Sequence, residues 1–111
     1  MITRTAIFEG TIKPGLEERF RNEVRHRLTP LWSQFPGGSN VRLFFIDNVD
    51  EGARPIAMMQ QVDYPSREAL DAALTSPIRA QARAITLEIL EMFDGSFYHL
   101  ISGTNAMEAG I

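Results

Sequence analysis

The sequence predicts an α+β domain in which four antiparallel strands are backed by two helical segments. Three features indicate this fold class. Two apolar stripes recur at spacings of three and four residues, four short segments are rich in β-branched and aromatic residues, and clusters of glycine and proline separate them. The elements follow one another in the order β-α-β-β-α-β, which is the ferredoxin-like arrangement.

The first strand is predicted at Thr3–Ile12 and ends at Lys13-Pro14-Gly15, because proline cannot donate to a strand ladder. The helix that follows has one apolar face. That face contains Leu16, Phe20, Val24, Leu28, Leu31 and Phe35. Since an interior proline costs about 3 kcal/mol, we expect this helix to break at Pro30, with Thr29 as the cap of a new short turn.

The middle of the chain predicts a hairpin and a second helical segment. The second and third strands are predicted at Val41–Val49 and Ile56–Asp63, joined by a loop at Asp50-Glu51-Gly52. Ser66 and the Ser76-Pro77 pair are typical helix starts, because serine caps free amide groups and proline fits the first helical position. The apolar stripe of the last helix is Ile78, Ala82, Ile85, Ile89 and Met92.

The end of the chain predicts the last strand. Asp94-Gly95 is expected to end the helix, and Ser96–Ser102 is predicted as the fourth strand. We expect one domain over residues 1–111, with its core at about 3–102 and a loosely held arm at 103–111.

Composition excludes several classes of function. A net charge of −3 offers no basic footprint for nucleic acid or anionic lipid, and the lack of cysteine excludes disulfides, thiolate metal sites and cysteine nucleophiles. Neither a signal peptide nor a membrane span is evident, so a cytoplasmic protein is expected. No glycine-rich phosphate loop or paired-histidine motif is present, and we expect neither a metal nor another cofactor.

The strands are apolar on both sides, which predicts a homodimer. In the second strand Val41, Leu43 and Phe45 alternate with Phe44 and Ile46. Helices cover only one face of such a sheet, and leaving the other face in water forfeits roughly 1.5–3 kcal/mol for each large side chain. The simplest cover is the same face of a second copy, which forms a barrel with a pocket for a small apolar or aromatic ligand. The C-terminal arm or another partner is the alternative cover.

Three groups of residues carry a resemblance to a known superfamily. They are the Lys13-Pro14-Gly15 turn between strand and helix, the Thr29-Pro30-Leu31-Trp32 step followed by Phe35-Pro36-Gly37, and Ser66-Arg67-Glu68-Ala69-Leu70 followed by Ser76-Pro77. Together they resemble the dimeric α/β-barrel superfamily over about residues 3–102. The nearest likeness is to EthD-like proteins, with antibiotic-biosynthesis-type monooxygenases and stress-responsive barrels as relatives.

The resemblance implies fold and dimerisation more specifically than chemistry. Some relatives oxidise or rearrange aromatic substrates without metal or flavin, some bind or degrade haem, and many have no known activity. EthD-like proteins commonly carry a histidine two residues before the proline of the first helix, where this chain has Leu28. His26 does not inherit that role by proximity. Its pairing with Glu23, three residues earlier, is interpreted as a surface ion pair and not as part of a metal site.

His99 is the predicted catalytic residue. It lies between Phe97 and Ile101 in the fourth strand and shares their face. A histidine lining the barrel would take a proton from a phenol or an enol, because its pKa is ordinarily near neutral. If that face packs on the helices instead, His99 is interpreted as a core histidine.

Six further residues are predicted to bind substrate. Arg42 and Arg54 begin the second and third strands, where either would hold a carboxylate by paired hydrogen bonds or form a salt bridge within the protein. Tyr64 and Tyr98 would orient a polar group, or pack with the hydroxyl at the rim. The remaining candidates are Trp32, as a pocket wall or a helix–sheet anchor, and Met58, as pocket lining or gap filler.

Two functions remain open from the sequence. The first is a cofactor-independent oxygenase or isomerase acting on a small aromatic or polyketide-like substrate, with His99 as the base. The second is a non-catalytic, ligand-binding or stress-associated barrel, with haem binding as a third possibility. One amide of the adjacent Gln60 and Gln61 is expected to point inward.

Overall fold

A computed structural model describes residues 1–103 and contains four strands. They are β1 (Ile2–Ile12), β2 (Ser39–Phe45), β3 (Ile56–Tyr64) and β4 (Phe93–Gly103). The helices are α1 (Glu17–Glu23), α2 (Thr29–Trp32), α3 (Arg67–Leu74) and α4 (Pro77–Ile89), with a π-helical turn at Val24–Leu28 and a 3₁₀ turn at Leu90–Met92. Gly103, placed in the predicted arm, is the last residue of β4, and 104–111 lie outside the described residues.

The four strands form one antiparallel sheet in the order β2-β3-β1-β4. This topology confirms the predicted order of elements, with β1 and β3 in the centre. Its register sets which side chains share a face: Ala6 pairs with Gln60 on β3 and with His99 on β4, so all three point the same way. That side is the helix face, because the buried core lies between it and the helices.

The first helical segment does not break where the sequence predicts. It continues from α1 through the π-helical turn into α2, and Thr29 lies inside the helix. The Thr29 hydroxyl donates to the carbonyl of Val24 at 3.3 Å and caps no amide group. Pro30 has no N–H to offer to the carbonyl one turn earlier, and the wider π turn accommodates its ring without ending the helix.

Two strand boundaries differ from the prediction by three residues or more, the end of β2 and the start of β4. β2 ends at Phe45, four residues early, although the Ile46 amide still donates to the carbonyl of Ala57 at 3.0 Å. The predicted helix end at Asp94-Gly95 is wrong, since both residues belong to β4 and pair with Thr11 and Gly10. The two glycines face each other so closely that a Cβ on Gly10 would lie 2.2 Å from the carbonyl oxygen of Asp94.

The two predicted serine caps are confirmed. The hydroxyl of Ser66 accepts a hydrogen bond from the amide of Ala69 at 3.1 Å, and that of Ser76 accepts from the amide of Arg79 at 3.3 Å. These caps fix the starts of α3 and α4. Among residues 1–103 no helix has the length and apolar composition that a membrane crossing requires.

The face of the sheet that turns away from the helices, here called the open face, is only partly apolar. One apolar row crosses all four strands and consists of Phe44, Met59, Ile7 and Tyr98. The next rows contain Arg42, Gln61, Thr5, Thr3 and Asp63, together with Leu100 on β4. The expectation of apolar residues along both faces is therefore too broad.

A hydrogen-bond network satisfies the polar rows of the open face. Asp63 accepts from the Thr3 hydroxyl at 2.7 Å and from the guanidinium of Arg42 at 3.0 Å. Arg42 also donates to Gln61 at 3.0 Å, and Gln61 donates to Thr5 at 3.2 Å. The hydrogen bond from Arg42 is the main reason that the pKa of Asp63 falls to about 2. The polar side chains of these rows satisfy one another's hydrogen bonds, so they need no covering layer.

Candidate active site between the sheet and helix α4

A cavity of about 50 Å³ lies between the helix face of the sheet and α4. Small side chains explain its position, because Ala6 on β1 meets Ala82 and Thr86 on α4 where larger residues would fill the gap. Its aromatic lining consists of Phe8, Phe97, Trp32 and Phe35. The remaining lining residues are Arg4, Gln60, Arg79, Arg83, Leu87 and His99.

The cavity opens along α4. Leu87 and Arg83 are the exposed residues of its lining, and Leu87 retains 54% of its accessible surface. Phe8 at the opposite end is 1% exposed and packs against Phe97, with ring centroids 4.8 Å apart. The cavity is therefore apolar and closed at its base, and its mouth contains the charged Arg83 beside the apolar Leu87.

His99 contributes an imidazole to the cavity wall. Its ring meets that of Phe97 edge-on, with centroids 4.7 Å apart. Within residues 1–103 the ring nitrogens have no hydrogen-bond partner. His99 is half-buried on the helix face, which is the placement for which the sequence predicted a core histidine and not a base lining a barrel between two sheets; its ring nevertheless borders the cavity.

The surroundings keep His99 neutral. Burial, as the largest cause, and the positive charges of Arg4, Arg79 and Arg83 together lower its pKa to about 4. At neutral pH the imidazole therefore has one nitrogen free to accept a proton. The imidazolium formed by accepting one is disfavoured by the same charges, so His99 is a weaker base than an ordinary histidine until a bound anion offsets those charges.

Gln60 is the buried polar residue of the cavity. It is 7% exposed, lines the cavity and forms none of the side-chain hydrogen bonds found among residues 1–103. Its alternation with Gln61 explains the difference between the two amides, since Gln61 points to the open face and bonds with Arg42. The amide of Gln60 is available to a bound molecule.

The structure places the predicted site residues on both sides of the sheet. His99 and Trp32 line the cavity. Met58 is fully buried in the adjacent core, and Tyr64 is buried in a second cluster beside Leu70, where burial raises the pKa of its hydroxyl. Neither Met58 nor Tyr64 lines the cavity wall.

The other three predicted residues lie away from the cavity. Arg42 is committed to Asp63 on the open face, at 3.0 Å. Tyr98 donates to Glu9 at 3.2 Å, and the exposed Arg54 pairs with Glu9 at 3.4 Å. We expected the pocket within the barrel between two sheets, whereas the cavity of this chain lies between sheet and helices. Alternation along β4 turns His99 and Tyr98 to opposite faces of the sheet, so these two predicted residues do not share one pocket.

Three polar residues of the cavity were not predicted from the sequence: Arg4, Arg79 and Arg83. For Gln60 the sequence predicted only that it or Gln61 points inward. The signal for Arg4 is its register, since it alternates with Ala6 and Phe8 on the buried side of β1. Arg79 and Arg83 flank Ala82 in the sequence of α4, so they border the small-residue gap.

His26 lies outside this site. Its ring is exposed and its Nδ1 lies 3.1 Å from the carbonyl of Asn22. The predicted pair with Glu23 is not formed, because Glu23 accepts a hydrogen bond from Arg27 at 3.3 Å instead. Within residues 1–103 no three histidine, aspartate or glutamate side chains come together as metal ligands.

Comparisons with solved structures agree with this architecture, whereas no protein-family model and no curated protein matches the chain. An ethyl tert-butyl ether d (EthD) family protein from Bacillus halodurans has a TM-score of 0.71 at 17% identity, over 94% of this chain and 98% of that one. SnoaB, a cofactor-independent oxygenase from Streptomyces nogalater, has a TM-score of 0.62 at 14% identity, over 93% and 91%.

A third neighbour is a dimeric protein of unknown function with a ferredoxin-like fold from Bacteroides fragilis. Its TM-score is 0.67 at 10% identity, over 93% of this chain and 95% of that one. This chain has the ferredoxin-like α+β fold. At such identities the likeness shows the fold alone, and it confirms the fold class that the element order predicts. The chemistry of this chain depends on the residues of its own cavity.

Proposed function

We propose that this ferredoxin-like protein is a cofactor-independent enzyme acting on a small hydroxylated aromatic or polyketide-like molecule, with His99 as general base. The observation that carries the proposal is the His99 ring, which has no hydrogen-bond partner within residues 1–103, at the wall of an aromatic-lined cavity. A neutral imidazole at such a place accepts a proton from a bound hydroxyl or an activated C–H group.

The substrate anion left by proton transfer would be stabilised at the mouth of the cavity. Arg4, Arg79 and Arg83 surround the position where negative charge develops, and their attraction is strong because the site is partly shielded from water. Gln60 would donate a hydrogen bond to a substrate oxygen, while Trp32 and Phe97 contact the flat face of a ring.

Two outcomes are open to that anion. Return of the proton to a different atom isomerises the substrate. In air, a ring CH₂ group is converted to C=O by one O₂ molecule: one oxygen atom enters the substrate, the other leaves as water, and the substrate supplies both hydrogens and the electrons. This second route has a counterpart in the printed description of SnoaB as a cofactor-independent oxygenase.

We also propose that the protein forms a homodimer through the open face. Phe44, Tyr98 and Leu100 remain 38–51% exposed there, and an apolar row of this length is unusual on a monomer surface. The Bacteroides fragilis neighbour, which shares the fold, is described as dimeric. Pairing of two open faces leaves each cavity accessible, since the cavity lies on the other side of the sheet.

A non-catalytic binding role is the second candidate, favoured by the narrow volume of the cavity. One experiment separates the two. The purified protein, without added metal or flavin, is incubated with a panel of phenols, hydroquinones and cyclic enols, in air and under nitrogen, and products are measured by mass spectrometry. The enzyme proposal predicts conversion of at least one member. Retention of panel members in native mass spectra without conversion in either gas would contradict it and support the binding role.

A further inference from the structure

Three arginine side chains converge on the mouth of the cavity without a balancing acid. Arg4 comes from β1, and Arg79 and Arg83 come from one face of α4. In the described part of the chain every ion pair involves other arginines, and no acidic residue lines the cavity. This local charge contrasts with the net charge of −3 for the whole chain.

The repulsion among these three positive charges destabilises the protein when no ligand is bound. Arg79 and Arg83 are four residues apart on α4, a spacing that places like charges side by side and weakens an isolated helix. Arg4 is half-buried, and both its burial and the charge of Arg79 lower its pKa, which is the direction expected where a positive charge is uncompensated. Within residues 1–103 none of the three guanidinium groups has an ion-pair partner, so their donors can bind a ligand.

The apolar base and the charged mouth together define an amphipathic shape. The base is closed by Phe8 and Phe97, and the imidazole of His99 lies between it and the arginines. A molecule that satisfies all parts at once has a flat apolar body, a hydroxyl beside His99 and a planar anionic group at the mouth. Carboxylates match guanidinium groups in geometry as well as charge.

We propose that the natural ligand is an aromatic carboxylate, held through its carboxylate by Arg4, Arg79 and Arg83. This assignment rests on the proposed function only for the role of His99, because the arginines would bind the same anion in a non-catalytic barrel. The ligand's carboxylate would supply the negative charge that no lining residue among 1–103 provides at the cavity mouth. It would also hold the ring against Phe8 and Phe97 at the closed end.

The test compares para-hydroxybenzoate with para-hydroxybenzamide, two rings of nearly equal size that differ in charge. Binding of each to the full chain at neutral pH is measured by isothermal titration calorimetry. We expect the acid to bind at least about tenfold more tightly than the amide. Arg79→Gln and Arg83→Gln should each weaken binding of the acid about tenfold and leave binding of the amide unchanged.

Arg67→Gln is the matched control. It removes the same charge from α3, where Arg67 pairs with Asp71 on the exposed surface. The comparison of acid with amide uses the unaltered protein, so it does not depend on the folding of any variant. Equal binding of the two, or an equal loss of acid binding in the Arg67 variant, would overturn the assignment. Arginine-dependent binding without turnover in air would leave it intact and count against the enzyme proposal alone.

Discussion

Replacing His99 by glutamine is expected to lower turnover of any substrate that the aerobic panel identifies by about a hundredfold. Glutamine retains a hydrogen-bonding side chain of similar reach but cannot accept a proton at neutral pH. Within residues 1–103 the ring nitrogens of His99 have no hydrogen-bond partner, so the unaltered residue can accept a proton from a ligand in the cavity. The change should appear in kcat more than in KM, since the arginines and aromatic residues still bind the substrate.

The matched control is His26→Gln, which alters the other histidine of the chain. His26 is exposed on the first helical segment, so this variant should keep full turnover. Progress curves of both variants, with folding verified by circular dichroism, decide the matter. Turnover of the His99 variant within about twofold of the unaltered protein would exclude His99 as the essential base, because a lost general base costs far more.

Replacing Leu100 by glutamate is expected to raise the dissociation constant of the proposed dimer at least about a hundredfold. Leu100 is 51% exposed and lies on the open face beside Thr5. The interface of a two-fold dimer would contain two such carboxylates. Each carboxylate would lose its hydration without gaining an ion-pair partner. Sedimentation velocity over a concentration series measures the effect.

Ile101→Glu controls for charge and for strand position. Ile101 is 44% exposed and follows Leu100 directly, but its side chain lies on the helix face next to Arg4. This variant should therefore remain dimeric. A single subunit in the unaltered protein at millimolar concentration, or equal dissociation of both variants, would contradict pairing through the open face.

The fold was predictable because local signals and burial patterns agree. Ser66 and Ser76-Pro77 cap helices as expected, and the stripe that includes Ala82 and Ile89 packs into the core. The errors occur where tertiary structure overrides a local signal. Pro30 is absorbed by a π turn instead of ending a helix, and the facing strand β1 holds Asp94-Gly95 in the sheet.

The site was less predictable, since it depends on which strand face meets the helices. Alternation along β4 places His99 and Phe97 on one face and Tyr98 on the other. It does not determine which of these two faces packs against the helices. Arg42 was predicted to bind a carboxylate from its place at a strand start, whereas its partner is the cross-strand Asp63. Arg4 and Arg79 meet only after β1 and α4 pack together, which no sequence spacing encodes.

The most direct test of this account is the pKa of His99 measured by NMR titration of its ring. The chain has two histidines, so a spectrum of the His99→Gln variant assigns the signals. A ring half-buried beside three arginines should titrate near 4, and Arg79→Gln should raise that value. An ordinary value near 6.5, unchanged in the arginine variant, would contradict the placement of His99 in a charged cavity between sheet and helix.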